Sequence, residues 1–293
     1  MDNKIKISAC VVLYNPENYI IPNICMDLNQ ISHLYIIDNS DLINYNSSFE
    51  KDNITYIKNN ENKGVASALN QAANLAIAQG FDYLLTLDQD STLDSHLVER
   101  YMHYLHSNNN KFLGWLSPHY IYEEYSGQKG RNDDYPISIS MTSGSLLNLK
   151  AYKQIGPFID NFFIDYIDIE YCLRLRKEGF EIIKIHEAII YHNLGIIYGR
   201  KFLFMNISVT NHSPLRLYYR TRNRFFVYKT YLKYFPIFVL KDLIVFFNEL
   251  IKILLYEKNK IEKYKWIIKG FVAFLENKMG KYENLTDTCV FNK

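Results

Sequence analysis

An α/β fold with a mostly parallel sheet is predicted by the alternation of short apolar runs and helical stretches in the first half of this 293-residue chain. The predicted strands cover residues 5–13, 34–37, 54–57 and 81–87. Helices are expected near residues 18–28 and over residues 65–79, where Gly80 is a typical helix-ending residue. A parallel sheet covered by helices binds ligands beyond the carboxyl ends of its strands.

Polar loops follow each of these strands, so the sequence predicts that the loops share one crevice. They contain Tyr14 and Asn15, then Asp38, then Asn62, Lys63 and Gly64, and finally Asp88, Gln89 and Asp90. Such a crevice suits a nucleotide, because the Asp38 carboxylate can accept hydrogen bonds from a base or a ribose. Residues 62–64 open a helix whose free N–H groups favour an anion or a ribose. The chain lacks the glycine patterns of a dinucleotide fold and of a P-loop.

Asp88 and Asp90 are the strongest candidates for binding a metal. In an extended segment, side chains two residues apart leave on the same side, so both carboxylates can reach one point. Hard oxygen ligands suit Mg²⁺ or Mn²⁺, which would also bind diphosphate oxygens. The alternative is an acidic turn that caps the helix after Ser91 to Asp94.

Composition places the chain among folded globular proteins, with 48% hydrophobic and 22% charged residues. Its four cysteines show no Cys-x-x-Cys spacing, which argues against a zinc site or a disulfide framework. No signal-peptide pattern precedes the first strand, so a cytoplasmic location is expected, and no nucleic-acid partner is expected. The oligomeric state, monomer or homodimer, stays open at this stage.

Charge is distributed unevenly along the chain. Residues 214–282 contain 15 Lys and Arg against five Asp and Glu, a balance of +10, whereas the whole chain carries +2 and the remainder therefore −8. Residues 235–256 carry too many charged side chains for a spanning helix and predict an amphipathic one. With the lysines at 258, 260, 263, 265 and 269, this segment favours an anionic membrane surface on the inner face of the cell membrane. Packing on the protein's own core is the alternative.

Several ordered motifs resemble those of family 2 glycosyltransferases, and within them the bacterial rhamnosyltransferase group. The motifs are VVLYNP at 11–16, IIDNS at 36–40, NKGVASALN at 62–70, LDQDS at 87–91, TSGS at 142–145, IGPF at 155–158 and FFIDYIDIEYCLR at 162–174. The resemblance covers roughly residues 5–223. It implies a GT-A fold over residues 1–213, followed by a helical basic region over 214–293. It also implies an inverting transfer from a dTDP- or UDP-linked sugar, with L-rhamnose from dTDP-rhamnose as the expected donor and a divalent metal as cofactor.

Within the acidic cluster 165–170, the resemblance places the catalytic base on Asp168. An inverting transfer needs one general base for the acceptor hydroxyl. Because Ile167 stands where many relatives have Glu, Asp165 remains a competitor. Of the three acids Asp165, Asp168 and Glu170, two are expected to pair with arginines.

Further roles are expected for residues around the donor diphosphate or the acceptor. The resemblance suggests His192 as a third metal or diphosphate ligand, against a purely structural histidine. Candidates for contact with the diphosphate or acceptor are Gly144, Glu170, Arg216, Arg220 and Arg222. The arginines suit phosphate oxygens, and surface charge beside a membrane helix is the alternative.

The expected function is therefore transfer of a sugar to a hydroxyl of a lipid-linked oligosaccharide in surface polysaccharide synthesis. Hexosyl or N-acetylhexosaminyl transfer from a UDP-sugar is the alternative within the same class. A nucleotidyltransferase and a non-catalytic membrane-surface protein are the alternatives from other classes. The first would usually show a Gly-rich basic loop near the N-terminus, and the second leaves the strand-end loops unexplained.

Overall fold

The computed structural model describes residues 5–17, 31–42, 46–121, 133–191, 198–202, 205–209 and 211–283. The helix predicted near residues 18–28 lies outside these ranges. The chain divides into two compact units, Met1–Phe158 with Asp168–Ile197 and Ile159–Ile167 with Tyr198–Lys293. The predicted domain boundary between 213 and 214 coincides instead with the start of a helix inside the second unit.

A mixed sheet forms the first unit. Its strands in the described ranges are β1 (Ile7–Leu13), β2 (Leu34–Asp38), β3 (Ile54–Lys58), β4 (Tyr83–Asp88), β5 (Thr92–Leu93), β6 (Leu113–Ile121), β7 (Tyr135–Pro136), β8 (Ser145–Asn148) and β9 (Glu181–Tyr191). Their order is β3-β2-β1-β4-β8-β6-β9-β5, and β7 pairs with β9. The first four are parallel, as predicted, and β8 is antiparallel to both neighbours.

The helices of this unit are α1 (Val65–Ala78), α2 (Leu97–Ser107), α3 (Leu149–Ile155) and α4 (Ile167–Lys177), the first residue of α4 belonging to the second unit. Helix α1 buries a run of alanines, which lets it lie close to the sheet. The predominantly apolar strands β1 and β2 are almost completely buried, as expected for strands covered on both faces. The predicted α/β architecture is confirmed.

The second unit holds a two-stranded antiparallel ribbon and three helices in the described ranges. They are β10 (Tyr198–Phe202), β11 (Met205–Val209), α5 (Pro214–Tyr231), α6 (Pro236–Tyr256) and α7 (Lys260–Leu275). Ser213 caps α5 by accepting a hydrogen bond from the Arg216 N–H at 3.3 Å, and Pro214 occupies the first helical turn. Within the described chain, no helix has the length and apolar character needed to cross a bilayer.

Candidate active site

The predicted strand-end loops do meet at one edge of the sheet. Register pairs Leu13 with Asp38, Asp38 with Lys58, and Val12 with Asp88, so these parallel strands end at nearly the same level. The order of the strands reverses between β1 and β4, because β2 and β3 lie on one side of β1 and β4 on the other. Such a switch point opens a crevice for ligands between neighbouring loops.

Gln89 joins the loops that flank this crevice. Its side-chain oxygen accepts a hydrogen bond from the Tyr14 N–H at 2.9 Å, and its amide donates to the Tyr14 carbonyl at 3.4 Å. The Tyr14 ring is exposed, which leaves it accessible to a ligand. Gln89 therefore sets the spacing between the ends of β1 and β4.

Asn15 fixes the next loop in a similar way. The Asn15 N–H donates to Ser40 Oγ at 2.7 Å, and its side chain exchanges hydrogen bonds with Asp41 at 3.0 and 3.2 Å. Its φ of 44° lies in the left-handed region that asparagine tolerates. Asn15 thus connects the loops after β1 and β2.

Asp38 lies at the end of β2 with 0% exposure. One carboxylate oxygen accepts hydrogen bonds from the Ser40 N–H at 2.9 Å and lies 3.9 Å from Lys58 Nζ; the other accepts from the Tyr56 hydroxyl at 2.6 Å. A buried carboxylate held in this way is oriented rather than free to rotate. Sequence reasoning missed Tyr56 and Lys58. Lys58 ends β3, the strand next to the one that ends at Asp38, and this parallel pairing was a signal that could have revealed it.

The start of α1 is fixed by a chain of amide groups. Asn62 Oδ1 accepts from the Gly64 N–H at 2.9 Å, while Asn39 donates to the Gly64 carbonyl at 3.0 Å and accepts from Asn59 at 2.8 Å. The Gly64 backbone, with φ 83° and ψ 166°, has a conformation that is essentially restricted to glycine. No described side chain caps this helix, and the Lys63 side chain is exposed beside its start. The free N–H groups at this helix start are of the kind that favour an anion, and the role predicted for residues 62–64 stays a prediction.

Asp88 and Asp90 are both exposed at the end of β4. The Asp88 N–H donates to Ser143 Oγ at 3.2 Å, and Ser143 Oγ also lies 2.6 Å from Ser91 Oγ. No three His, Cys, Asp or Glu side chains in the described ranges cluster closely enough to hold a metal ion by themselves. Two exposed carboxylates nevertheless fit Mg²⁺, which is usually bound by one or two carboxylates with water and substrate phosphate completing its shell.

A network of buried hydroxyl groups around Tyr120 supports Ser143, which in turn binds the end of β4. Tyr120 donates to the Ser143 carbonyl at 3.0 Å and lies near the hydroxyls of Ser140 and Ser145. Burial raises the pKa of Tyr120, the serine hydrogen bonds lower it, and the negative charge of Asp168 raises it further. Tyr120 therefore stays protonated and acts as a hydrogen-bond donor in this network.

Gly144 is enclosed within that network. Its N–H donates to the Thr86 carbonyl at 2.7 Å, and its carbonyl accepts from the Tyr101 hydroxyl at 2.6 Å. A side-chain carbon at this position would lie 2.6 Å from Ile190 and 3.0 Å from Pro118, and the φ of 74° favours glycine independently. These internal contacts explain the glycine without a ligand.

The three acids before and within α4 have different surroundings. Glu170, 2% exposed, forms two hydrogen bonds with Arg174 at 3.0 and 2.8 Å. Asp165 pairs with Arg216, whose Nε lies 3.0 Å from its carboxylate. Asp168 is half-buried in the first turn of α4 and accepts from the Ile169 N–H at 2.8 Å. Two arginine pairs thus occur within the cluster, on Asp165 and Glu170.

The arginines of α5 are largely engaged within the second unit. Arg220 and Arg224 both bind Glu249, at 2.5 and 2.7 Å. Arg222 is 1% exposed and donates to the carbonyls of Asn161, Phe162 and Gly280. Among the three arginines that the sequence suggested, only Arg216 has a side chain that is about half exposed, and it pairs with Asp165. His192 lies outside the described residues.

Comparison with known proteins identifies the family to which this chain is similar. Residues 8–166 match the family described as Glycosyl transferase family 2. The chain is 25% identical to the dTDP-rhamnosyl transferase RfbF of Shigella flexneri, over 94% of this chain and 96% of that protein. It is 21% identical to the low-salt glycan biosynthesis hexosyltransferase Agl10 of Haloferax volcanii, over 95% and 94% of the two chains.

Solved structures share the fold at low identity. S. aureus TarS matches with a TM-score of 0.54 and 14% identity, over 92% of this chain and 43% of that chain. GalNAc-T7, crystallised with UDP, GalNAc and Mn²⁺, matches with a TM-score of 0.51 and 9% identity, over 64% and 43%. The chain therefore spans less than half of each of these two proteins. The matches establish the GT-A fold class that the sequence motifs implied.

Proposed function

Because the chain belongs to glycosyl transferase family 2, we propose that it transfers L-rhamnose from dTDP-rhamnose to a hydroxyl of a lipid-linked oligosaccharide. The single observation that carries this proposal is the crevice at the β1–β4 switch point, where oriented polar groups and two exposed carboxylates lie at one sheet edge. The choice of sugar and nucleotide is supported by the full-length similarity to the dTDP-rhamnosyl transferase RfbF.

The chain's own residues have distinct roles in this proposal. Tyr14 and Asn15 line the nucleotide. Asp38, which the sequence suggested as a direct contact of the base or ribose, is fully buried and instead orients the Ser40 N–H and the Tyr56 hydroxyl at this sheet edge. The start of α1 at Asn62 and Gly64 faces the ribose or phosphate with its N–H groups, beside the exposed Lys63.

Asp88 and Asp90 would hold Mg²⁺ or Mn²⁺ at the donor diphosphate. When bound, the ion supplies positive charge that stabilises the leaving nucleoside diphosphate. Ser143 orients the Asp88 backbone through its hydrogen bond, and Gln89 holds the same turn against Tyr14.

Asp168 is the proposed general base. It takes the proton of the acceptor hydroxyl while the hydroxyl oxygen forms a bond to the anomeric carbon. The bond from that carbon to the diphosphate oxygen breaks, its electron pair leaves with the nucleoside diphosphate, and the configuration inverts. Asp168 is preferred to Asp165 because the resemblance to family 2 glycosyltransferases places the base at this position.

For Gly144, Glu170 and Arg222 we propose structural roles, because their polar groups bind other parts of the protein. Arg216 remains our candidate for contact with the diphosphate or acceptor. Arg220 could take part only by exchanging its bond to Glu249.

A membrane surface is the proposed location of the acceptor, and helix α6 is the proposed contact. Its acids Asp242 and Glu249 face inward onto Arg224 and Arg220. Large apolar side chains remain exposed along the helix: Ile237, Leu240, Ile244, Val245, Phe247, Ile251, Leu254 and Leu255. A contiguous apolar surface of this kind marks an interaction site.

The charges beside this surface favour an anionic membrane over a second copy of the chain. The lysines at 241, 258, 260, 265 and 269 are exposed, while the helix turns its acids inward. Lys263 differs from its neighbours, because it is buried and pairs with Glu257 at 2.6 Å. Val239 of α6 is also buried and is not part of the exposed apolar surface.

The test of the proposed activity begins with nucleotide binding. Thermal unfolding is measured with dTDP, UDP or GDP, with and without Mn²⁺, and transfer is then measured from dTDP-rhamnose and UDP-hexoses to a synthetic prenyl-diphosphate-linked saccharide. Metal-dependent stabilisation by dTDP with rhamnosyl transfer supports the proposal. Stabilisation by UDP alone would identify the hexosyl alternative, and no stabilisation by any nucleotide would refute the donor site.

A further inference from the structure

The four residues 163–166, just before α4, have an unusual backbone. Among described non-glycine residues with positive φ, those that are not asparagine are Phe163, Asp165 and Tyr166, with φ of 66°, 61° and 64°. At Phe163 ψ is −63°, and the Ile164 N–H donates to the Phe162 carbonyl at 2.8 Å. These values describe the rare, strained form of the γ-turn. Aromatic residues seldom adopt such a conformation unless neighbouring groups impose it.

Asn223 of α5 supplies the principal contacts to this loop. Its side-chain amide nitrogen lies 2.9 Å from the Phe162 carbonyl oxygen, 2.8 Å from that of Ile164 and 2.9 Å from that of Asp165. The residue has 0% exposure, so water does not compete for these bonds. One buried amide therefore gathers three carbonyl oxygens of four consecutive residues.

Arg222 completes the contact from the neighbouring position. Its Nη2 donates to the carbonyls of Asn161 and Phe162, each at 3.1 Å, and its Nε donates to Asn223 Oδ1 at 3.1 Å. The last bond orients the Asn223 amide so that its nitrogen faces the loop. The Tyr166 hydroxyl separately donates to Asp242 at 2.7 Å and contacts Arg224 Nε.

The held loop continues directly into the proposed base. Tyr166 is followed by Ile167, the first residue of α4, and then by Asp168. The direction in which α4 starts depends on the dihedral angles of the residues immediately before it. We propose that Asn223 is a positioning residue for Asp168, acting by holding residues 163–166 in their observed conformation, with positive φ at Phe163, Asp165 and Tyr166; this rests on the proposed base function of Asp168.

Loss of the Asn223 contacts allows the loop to relax toward ordinary backbone angles. Asp165 and Tyr166 have no glycine-like preference for positive φ, so the strained conformation is lost first. A misplacement of a catalytic group by about 1 Å can reduce a rate by about 10²-fold. The donor nucleotide contacts other loops, so its affinity is expected to change little.

The experiment compares Asn223→Ala with Val227→Ala, which truncates a buried apolar side chain on the same helix that has no hydrogen-bonding group. Transfer from dTDP-rhamnose to a synthetic prenyl-diphosphate-linked saccharide is measured together with dTDP affinity and Tm. Asn223→Ala is expected to lower kcat by about 10²-fold with dTDP affinity within about twofold of wild type. Val227→Ala is expected to lower Tm while kcat remains near wild type. Equal kcat losses at equal Tm losses would refute the proposal.

A second measurement tests the conformational step itself. Glycine adopts positive φ without a side-chain penalty, so Asp165→Gly reduces the need for the Asn223 contacts. The kcat loss caused by Asn223→Ala is therefore expected to be several-fold smaller in the Asp165→Gly background than in wild type. Identical losses in the two backgrounds would show that Asn223 does not act through this loop.

The base assignment is checked with Asp168→Asn. If this variant retains wild-type kcat, the proposed function of Asp168 is wrong and the positioning role fails with it. If Asp168→Asn loses activity while Asn223→Ala retains it, the positioning role fails alone.

Discussion

The side chain of Gln89 and the backbone of Tyr14 form a reciprocal pair, with the Tyr14 N–H donating at 2.9 Å and the Gln89 amide donating back at 3.4 Å. The pair joins the turn after β4 to the turn after β1, across the switch point of the sheet. An acidic metal-binding turn and a nucleotide-contacting turn are thereby held at a fixed spacing.

Replacing Gln89 with Ala should weaken donor binding. The variant loses the two hydrogen bonds that hold the Tyr14 turn in place, so binding must order this turn and we expect the dissociation constant of dTDP to rise roughly tenfold. Calorimetric titration with dTDP and Mn²⁺ measures it. Gln79→Ala is the control, because Gln79 is also hydrogen-bonded, to the Tyr35 hydroxyl at 2.8 Å, but follows the far end of α1. Equal weakening by both changes would contradict a local role for Gln89.

Asp90→Ala should abolish transfer, because Asp90 is one of the two exposed carboxylates that would hold the metal in the proposed site. Asp94→Ala provides the control for the alternative that this acidic turn only caps a helix, since Asp94 accepts from the His96 N–H at 3.0 Å. We expect Asp94→Ala to alter stability and not metal dependence. Near-normal turnover of Asp90→Ala at saturating Mn²⁺ would contradict the metal assignment.

The positions of the first four strands and their parallel direction could be predicted from the sequence, because apolar runs and helical spacing are local signals. The convergence of their loops then followed from parallel pairing, as the register of Asp38 with Lys58 shows. The partners of Asp38 could not be predicted as readily, since Tyr56 and Lys58 come from a strand whose side-chain directions depend on the register.

The second half of the chain was harder to interpret, because the sequence does not show whether a charged side chain on an amphipathic helix faces solvent or the protein interior. The amphipathic pattern of α6 was visible, but the sequence gives no sign that Asp242 and Glu249 turn inward onto arginines of α5. The inward orientation of Lys263 also depends on its ion pair with Glu257. A count of charged residues along the sequence does not show that the two are paired. The role of Asn223 depends on backbone dihedral angles at residues 163–166, which composition and spacing do not encode.

Asp168→Asn should lower kcat while donor affinity and Tm remain near wild type. Loss of a general base typically reduces turnover by about 10²–10⁴-fold. Asp165→Asn should reduce it less, because the Asp165 carboxylate is engaged with Arg216. Steady-state kinetics with dTDP titration separates the two effects. The reverse ranking would assign the base to Asp165.

Glu249 should make the stability of the second unit depend on pH. Burial raises its pKa, but the charges of Arg220 and Arg224 outweigh burial and hold the pKa below its ordinary value of 4.5. A carboxyl whose pKa is lower in the folded state stabilises the fold above its unfolded pKa, and this contribution is lost as pH falls through the folded pKa. Glu249→Gln should therefore reduce the free energy of unfolding at pH 7 by about 2–3 kcal/mol.

The same substitution should have a smaller effect in acid, once the pH has fallen through the lowered pKa of Glu249 in the folded protein and the wild-type carboxyl is itself protonated. Urea unfolding at neutral pH and in acid measures this difference. Glu276→Gln is the matched control, because Glu276 forms an exposed pair with Lys278 at 2.7 Å that contributes little to stability. An effect of Glu249→Gln that is equal at both pH values would exclude the proposed linkage.

The surface of α6 should bind anionic vesicles in a salt-dependent way. Its exposed apolar side chains can enter the headgroup region, while nearby lysines are each attracted by about 1 kcal/mol close to an anionic surface. Sedimentation with phosphatidylglycerol-containing vesicles should exceed that with neutral vesicles and fall as salt is added.

The decisive variant replaces the exposed lysines at 258, 260 and 265 with Gln and leaves Lys263 intact, because Lys263 is buried and paired. This triple variant should be released from vesicles while transfer to a short soluble acceptor is retained. Lys177→Gln on α4, together with Lys111→Gln and Lys150→Gln, gives a control of equal charge change in the other unit. If the two triple variants lose vesicle binding equally, net charge and not this surface attracts the protein. If wild-type protein ignores vesicles and sediments as a dimer that Ile244→Lys disrupts, the apolar face of α6 instead contacts a second copy of the chain.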